Sequence, residues 1–328
     1  MRVLVFGTGA IGGLVAAALI DAGAEVALLD RGPQFRALQD NGLRVIGREG
    51  VVRTWYPVSV VSRPQEFGCA DLVVLGVKAH QIRPALDAVD AALADGASLL
   101  TLQNGIPWWY FQRFSGAHAG HVLRAADTDG ALASRIDPQR IVGCVAYPAA
   151  ELVEPGVIRH VEGIRFPVGE LDGARSARCE AIGTLFEQAG FKSPVLDDVR
   201  NEIWLKSWGN LAFNPVSVLT GMTMAEICRS PETRSLVIRM MTEAEDVATR
   251  LGVTMRVPLE QRLSGAERVG QHKTSMLQDL EAGRSLEIDA ILGSVIELGE
   301  LVGVRVDTLR DVLERTRAVD PGRSRPLM

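Results

Sequence analysis

The sequence predicts an α/β N-terminal domain built on a parallel sheet, followed by an all-α C-terminal domain. Three observations predict it. A strand, helix and strand pattern opens the chain, apolar runs of strand length alternate with a helical stretch as far as residue 103, and long 3.6-period patterns take over after about residue 195. At 328 residues the chain exceeds the usual size of one compact core, so two domains are expected, residues 1–196 and 197–328.

Residues 2–6 (RVLVF) read as a short buried strand, residues 10–22 as a helix of small residues, and residues 25–29 as a second strand. Residues 71–77 (DLVVLGV) and 98–103 (SLLTLQ) are continuous apolar runs separated by a helical stretch at 81–94. Such runs suit strands covered on both faces, which means a parallel sheet. Residues 141–169 are richer in Val, Ile, Pro and Gly than in helix formers, and read as added strands that finish the domain. Helices are expected at 199–214, 231–251, 259–283, 288–301 and 308–317. The tail at 321–328, with two prolines, a glycine and two arginines, is expected to fray.

Hydrophobic residues at 47% and charged residues at 23% place the chain among ordinary globular proteins rather than disordered or fibrous ones. A net charge of -5 without a basic stripe argues against nucleic acid as a partner. The apolar opening is broken by glycines, Asp21 and Glu25, so it reads as a strand and helix rather than a leader. No other run approaches the roughly 20 apolar residues of a membrane span, so no membrane partner and a cytoplasmic location are expected. Cys69, Cys144, Cys179 and Cys228 lie far apart with no metal-ligand spacing, which predicts thiols in a reducing compartment and no metal site.

Gly7-Thr8-Gly9-Ala10-Ile11-Gly12 is a GxGxxG that follows a strand and opens a helix, the context that makes the pattern specific for a dinucleotide in a Rossmann-type domain. Gly7 allows the tight turn, Gly9 lets the backbone approach a pyrophosphate, and Gly12 lets helix and strand pack closely. The helix N-terminus attracts the phosphate charge. Asp30 and Arg31 end the second strand, where this fold reads the adenosine ribose, and they point in opposite directions. A carboxylate suits the 2'-hydroxyl of NAD, whereas an arginine suits the 2'-phosphate of NADP. Lys78, directly after a strand, is a candidate to join Arg31 on a phosphate or to contact the nicotinamide side; an exposed loop lysine would look the same. Asn104-Gly105 ends another strand at the carboxyl edge of the sheet, where ligands of open α/β folds bind.

In residues 201–221 (NEIWLKSWGNLAFNPVSVLTG), Lys206, Asn210 and Asn214 recur at four-residue steps and so lie along one side of a helix. The other faces are apolar, and unpaired polar burial costs roughly 1 to 3 kcal/mol per group, so these three need a polar substrate or an internal network. Pro215 removes a helical hydrogen bond and is expected to bend the chain after Asn214. In residues 273–289 (KTSMLQDLEAGRSLEID), Ser275 and Glu287 are the candidates to point inward, while Asp279, Glu281 and Arg284 suit salt links.

Taken together, these residues resemble the ketopantoate reductases (2-dehydropantoate 2-reductases) over nearly the whole chain. The resemblance implies NADPH-dependent reduction of a 2-keto acid, with Lys206 as general acid and Glu287 binding the substrate hydroxyl. It further implies that Asn210, Asn214 and Ser275 hold the substrate and that Asn104 lies at the junction of nicotinamide and substrate. Arg31 and Lys78 would face the NADP phosphate.

Two features depart from the family pattern. Ile106-Pro107-Trp108-Trp109-Tyr110-Phe111 is an aromatic cluster followed by a polar stretch to Arg140 that looks inserted; the aromatics either line the pocket or pack the insertion. Asp30 leaves NAD open beside NADP. A different 2-keto acid, a 3-hydroxyacid-type dehydrogenase and a non-catalytic nucleotide sensor are the alternative functions. The long amphipathic helices suit a homodimer interface and an intramolecular core equally well.

Overall fold

The structure, a computed structural model, describes residues 1–94 and 96–323. The chain divides into two units, one of Met1–Gln103, Trp109–Val122 and Gly130–Val199, the other of Asn104–Trp108, Leu123–Asp129 and Arg200–Met328.

The first unit holds β1 (Arg2–Phe6), α1 (Ala10–Asp21), β2 (Glu25–Leu29), α2 (Gly32–Asn41), β3 (Leu43–Ile46), β4 (Val52–Trp55), β5 (Ser59–Val61), β6 (Leu72–Leu75), α3 (Ala79–Ile82), α4 (Leu86–Leu93) and β7 (Ser98–Thr101). It continues with α5 (Ala131–Arg135), β8 (Ile141–Cys144), β9 (Ala149–Glu154), β10 (Val157–Glu162), β11 (Val168–Glu170) and α6 (Ala177–Gln188). The main sheet runs β11-β8-β7-β6-β1-β2-β5, parallel throughout except for the antiparallel β11. From β1 the chain travels outward through β2 to β5, then returns to β6 and travels the other way. The order therefore reverses between β1 and β6, the point where open α/β sheets bind ligands.

Helix α1 shows how sequence sets position. Its AIGGLVAAALID lacks a polar stripe because it packs on the main sheet and also against β3, β9 and β10 of a second sheet, ordered β4-β3-β10-β9. Close approach requires small residues: a Cβ on Gly12 would sit 2.0 Å from the Gly7 carbonyl oxygen and 3.4 Å from the Cα of Gly76. Phe166, Phe186 and Phe191 close the core with ring centroids 4.7 to 5.9 Å apart.

The second unit is helical: α7 (Val199–Thr220, its first residue counted with the first unit), α8 (Met224–Arg229), α9 (Pro231–Arg250), α10 (Leu259–Arg268), α11 (Ser275–Glu281), a π-helical turn (Asp289–Gly293), α12 (Ser294–Val302) and α13 (Asp307–Ala318). Trp204, Trp208 and Leu211 bury one side of α7 and Phe213 is buried on another, and the Trp208 indole N–H donates to the Met241 carbonyl of α9 at 2.7 Å. Glu243 of α9 accepts from the backbone N–H groups of Thr308 and Leu309 at 2.9 and 3.0 Å, satisfying the open start of α13.

The expected α/β domain with a helical second domain is the architecture found, with several differences inside it. Residues 81–94 do not form one helix, because Pro84 lies in a 3-10 turn between α3 and α4. Residues 141–169 form strands, as expected, and divide them between the two sheets. Residues 259–283 form two helices parted by a loop in which Gly270 takes φ +80°, and residues 288–301 begin with the π turn before α12. Helix α7 does not stop at Asn214 but passes through Pro215 to Thr220. Nothing in the sequence reading anticipated the elements of residues 32–61 or α6. Of the tail, residues 321–323 form a turn and residues 324–328 lie outside the described residues.

One buried charge cluster fastens β11. Glu170, with its side chain 3% exposed, accepts from Arg178 Nη2 and Nε at 2.6 and 2.7 Å and from Ser176 at 2.5 Å, with Arg113 at 3.4 Å. Burial pushes its carboxyl up, but the hydrogen bonds from Arg178 and Ser176 and the charges of Arg178 and Arg113 outweigh it and hold the carboxyl below the usual glutamate range. A depressed folded-state value gives stability that is present above the unfolded value and is lost as pH falls through the folded one. Glu170→Gln is therefore expected to cost about 3 kcal/mol near neutral pH, with the deficit against wild type shrinking in acid. Thermal unfolding across pH checks this, and a deficit constant down to strongly acidic pH would contradict it.

No disulfide links the four cysteines; Cys69 is exposed, whereas Cys144, Cys179 and Cys228 are buried. Burial pushes the Cys179 thiol up to about 11 and raises that of Cys228. A thiol titration should find Cys69 alone in the native protein and the three buried thiols only after denaturation.

Candidate active site

The glycine loop lies at the carboxyl end of β1, at the reversal of the main sheet. Gly7 makes the turn with φ +90°, and a Cβ on Gly9 would meet nothing within 4 Å, so the loop backbone is open there. Helix α1 starts at Ala10 with no side-chain cap, and the first-turn N–H groups of Ala10, Ile11 and Gly12 lack intrahelical partners. These are the features a pyrophosphate needs. Thr8 differs from its neighbours: it is fully buried, and both its N–H (2.7 Å) and its hydroxyl (2.5 Å) donate to Asp30 Oδ2. Arg31 is exposed at the cap of α2, and its N–H donates to Asp30 Oδ1 at 2.8 Å. Lys78 caps α3 just past β6, half-buried, with its Nζ shielded from solvent.

In the second unit the structure brings three of the expected residues into one chain of contacts. Lys206 Nζ donates to Asn104 Oδ1 at 2.6 Å, and Asn104 Nδ2 approaches Glu287 Oε2 at 3.5 Å. All three are half-buried. The partners come from far apart in sequence, so the backbone has to hold them. Gly105, at φ +83°, lies so close to the π turn that a Cβ would sit 2.2 Å from the Ala290 carbonyl oxygen, and that carbonyl accepts from Ile106 N–H at 3.0 Å. The π turn is itself anchored, because Asp289 pairs with Arg317 at 2.5 Å and with Arg323 at 2.9 Å. Asn104 and Glu287 are thus carried on two backbone segments fastened to each other.

Asn210 and Asn214 continue the side of α7 that carries Lys206. Asn210 is half-buried; Asn214 is 5% exposed, and its Nδ2 is buried without a hydrogen-bond partner. A buried amide hydrogen left unmatched costs about 1 to 3 kcal/mol, a penalty that a polar ligand would remove. One turn on, Ser217 donates to the Asn214 carbonyl at 2.7 Å and shares a 2.5 Å bond with Thr274, which caps α11 by accepting from Leu277 N–H. Ser275 does not point inward: Thr274 takes the capping position against α7, and Ser275 stands exposed as the first residue of α11. Asp279 pairs with Arg284, and Glu281 with Lys273.

The aromatic cluster is packed: Trp108, Trp109, Tyr110 and Phe111 are at most 2% exposed. Trp109 donates to Thr101 at 3.2 Å, and Phe111 meets Tyr110, Phe114, His118 and His121 edge to face. Sequence reasoning missed Gln103, whose amide donates to the Leu75 and Val77 carbonyls at 2.8 Å and ties the ends of β6 and β7 together. It also missed Gln34, which donates to the Thr8 carbonyl at 2.7 Å and accepts from Gly156 N–H. A polar residue at the end of an apolar run was the available signal for Gln103; Gln34 left none.

The family model Ketopantoate reductase PanE/ApbA matches residues 3–173, and Ketopantoate reductase PanE/ApbA C terminal matches residues 198–320. A 2-dehydropantoate 2-reductase of Mesorhizobium japonicum is 47% identical over 327 residues, covering 98% of this chain and 99% of its own. A crystal structure from Ralstonia solanacearum MolK2 assigned to the ketopantoate reductases is 37% identical with a TM-score of 0.89, covering 97% of both chains. D-mandelate dehydrogenase, solved with NADH and anilino(oxo)acetate, shares the fold at a TM-score of 0.83 and 20% identity, covering 97% of this chain and 98% of its own. Two family models spanning most of the chain and a relative aligned along almost its full length agree with the geometry above: the chain belongs to the ketopantoate reductase family and is an oxidoreductase of that family.

Proposed function

We propose that the chain reduces 2-dehydropantoate to pantoate with NADPH, the step that supplies pantoate for pantothenate biosynthesis. The observation that carries the reading is the contact chain from Lys206 through Asn104 to Glu287, a cation and a carboxylate fixed at the two ends of one amide. The name of the Mesorhizobium relative supplies the substrate.

Dinucleotide binding draws on the open glycine loop, the bare start of α1 and the exposed guanidinium of Arg31, with Lys78 as a second cation. When bound, the reduced nicotinamide supplies a hydride for the substrate ketone. Negative charge then develops on the ketone oxygen, where the Lys206 ammonium stabilises it and donates a proton. Asn104 holds that ammonium in place through its Oδ1. Glu287 accepts a hydrogen bond from the substrate hydroxyl, and Asn210 and Asn214 engage the remaining polar groups, Asn214 through its unmatched amide hydrogens. The burial of the aromatic cluster supports its packing the inserted stretch over its redirecting a pocket to a different substrate.

Lys206→Ala is expected to lower kcat by about a hundredfold or more while dinucleotide affinity changes little, as steady-state NADPH oxidation and fluorescence titration would show. Turnover preserved in that variant would remove Lys206 from the chemistry. Asn214→Leu is expected to raise the KM for the keto acid by about tenfold without lowering Tm, because it deletes an amide that the protein itself leaves unmatched. A marked loss of Tm would instead assign Asn214 to the helix interior. The reading as a whole rests on a substrate panel: efficient turnover of 2-dehydropantoate with NADPH supports it, and activity confined to 3-hydroxy acids or to a bulkier 2-keto acid overturns it.

A further inference from the structure

We propose that Asp30, the acidic residue at the position where this fold reads the ribose, acts as a positioning residue for the glycine loop and takes no part in discriminating between the two dinucleotides. The proposal rests on the dinucleotide reading given above. Three donors converge on the carboxylate, and all belong to the protein's own loop and helix start: Thr8 N–H, the Thr8 hydroxyl and Arg31 N–H, at 2.7, 2.5 and 2.8 Å. Two of them meet on Oδ2, so the carboxylate is turned back across 22 residues onto the glycine loop. Thr8 is fully buried, and Gln34 holds its carbonyl from the other side, so the loop is braced at both polar ends of one residue.

This geometry has two effects on recognition. It spends the Thr8 N–H on Asp30, so that group is not offered to a phosphate. It also disperses the negative charge of Asp30 into three donors, which lowers its repulsion toward a 2'-phosphate. Among the described residues no acidic side chain pairs with the exposed Arg31 guanidinium. The opposition between Asp30 and Arg31 in the sequence is thereby resolved by direction: one faces the loop and the other faces solvent.

The test is fluorescence titration of NADPH and NADH against wild type, Asp30→Ala, Asp30→Asn, Thr8→Val and the Thr8→Val/Asp30→Ala double variant. Thermal melts without ligand accompany the titrations. If Asp30 positions the loop, Asp30→Ala raises both Kd values by about tenfold with their ratio held within about threefold, and the apo Tm falls by about 3–6 °C. Asp30→Asn, which keeps one acceptor, falls between on both dinucleotides and serves if the alanine variant does not fold. Thr8→Val loses affinity for both, and the double variant loses no more than Asp30→Ala alone. Loss confined to NADH, with NADPH bound as well or better, would overturn the proposal and make Asp30 a ribose reader; additive losses in the double variant would overturn it too. Wild-type protein that binds neither dinucleotide would instead overturn the functional reading on which the proposal stands.

Discussion

At the reversal of the main sheet, three backbone segments meet with no side chain between them. Gly7 follows β1, Gly76 follows β6, and Gly12 lies in the first turn of α1. A Cβ on Gly76 would come within 2.5 Å of the Gly7 carbonyl oxygen and 2.9 Å of the Gly12 Cα. This contact fixes the height of α1 over the sheet, and with it the place of the second sheet that packs on α1. The second sheet rests on the far side of α1, where Gly13 admits the side chain of Ile158. The hole left by a smaller residue can relax; an added methyl against backbone has nowhere to go.

The second unit solves a comparable problem by other means. Its linked polar side chains come from a segment at residues 104–108, from α7 and from the stretch before the π turn, and Asn104 lies 102 residues from Lys206 and 183 from Glu287. A side-chain pair alone would be a weak tether for such distant parts. The backbone bond from Ile106 to Ala290, made possible by Gly105, sets the spacing first, and the side chains of Asn104 and Glu287 meet as a result. The extra residue per turn of a π helix is accommodated by the Arg317 and Arg323 anchors on Asp289, in keeping with the frequency of such turns at functional sites.

Much of this was legible in the sequence where burial is two-sided or periodic. Strands β1 and β6 read as strands because both faces are covered and the run is therefore continuously apolar. Lys206, Asn210 and Asn214 stood out because four-residue steps survive folding unchanged in α7. The break between α10 and α11 was hidden, since apolar residues recur at helical spacing on both sides of it (Leu259, Leu263 and Ala266, then Met276, Leu277 and Leu280) and the polar residues 271–274 suit a solvated helix face as well as a loop. Strand β3 and its pairing with β10 were illegible for a different reason: β3 is short, and the pairing joins residues about 110 positions apart, a fact no local pattern holds. The same applies to Asp30. Its sequence position suggested a ligand contact, while its partner Thr8 was visible only once β1 and β2 lay side by side.

The margins of the main sheet carry one more consequence. β5 on one edge has three residues, and so does β11 on the other. The outer backbone of β11 is already engaged, with Val168 N–H donating to the Pro194 carbonyl and Leu196 N–H donating to the Val168 carbonyl. A long, flat, unpaired edge is what recruits a foreign strand and seeds fibrous aggregates, and this sheet presents none of that length on either side. Among the described residues, the most hydrophobic layer of the chain thus ends on both sides in strands too short to template the addition of a foreign strand.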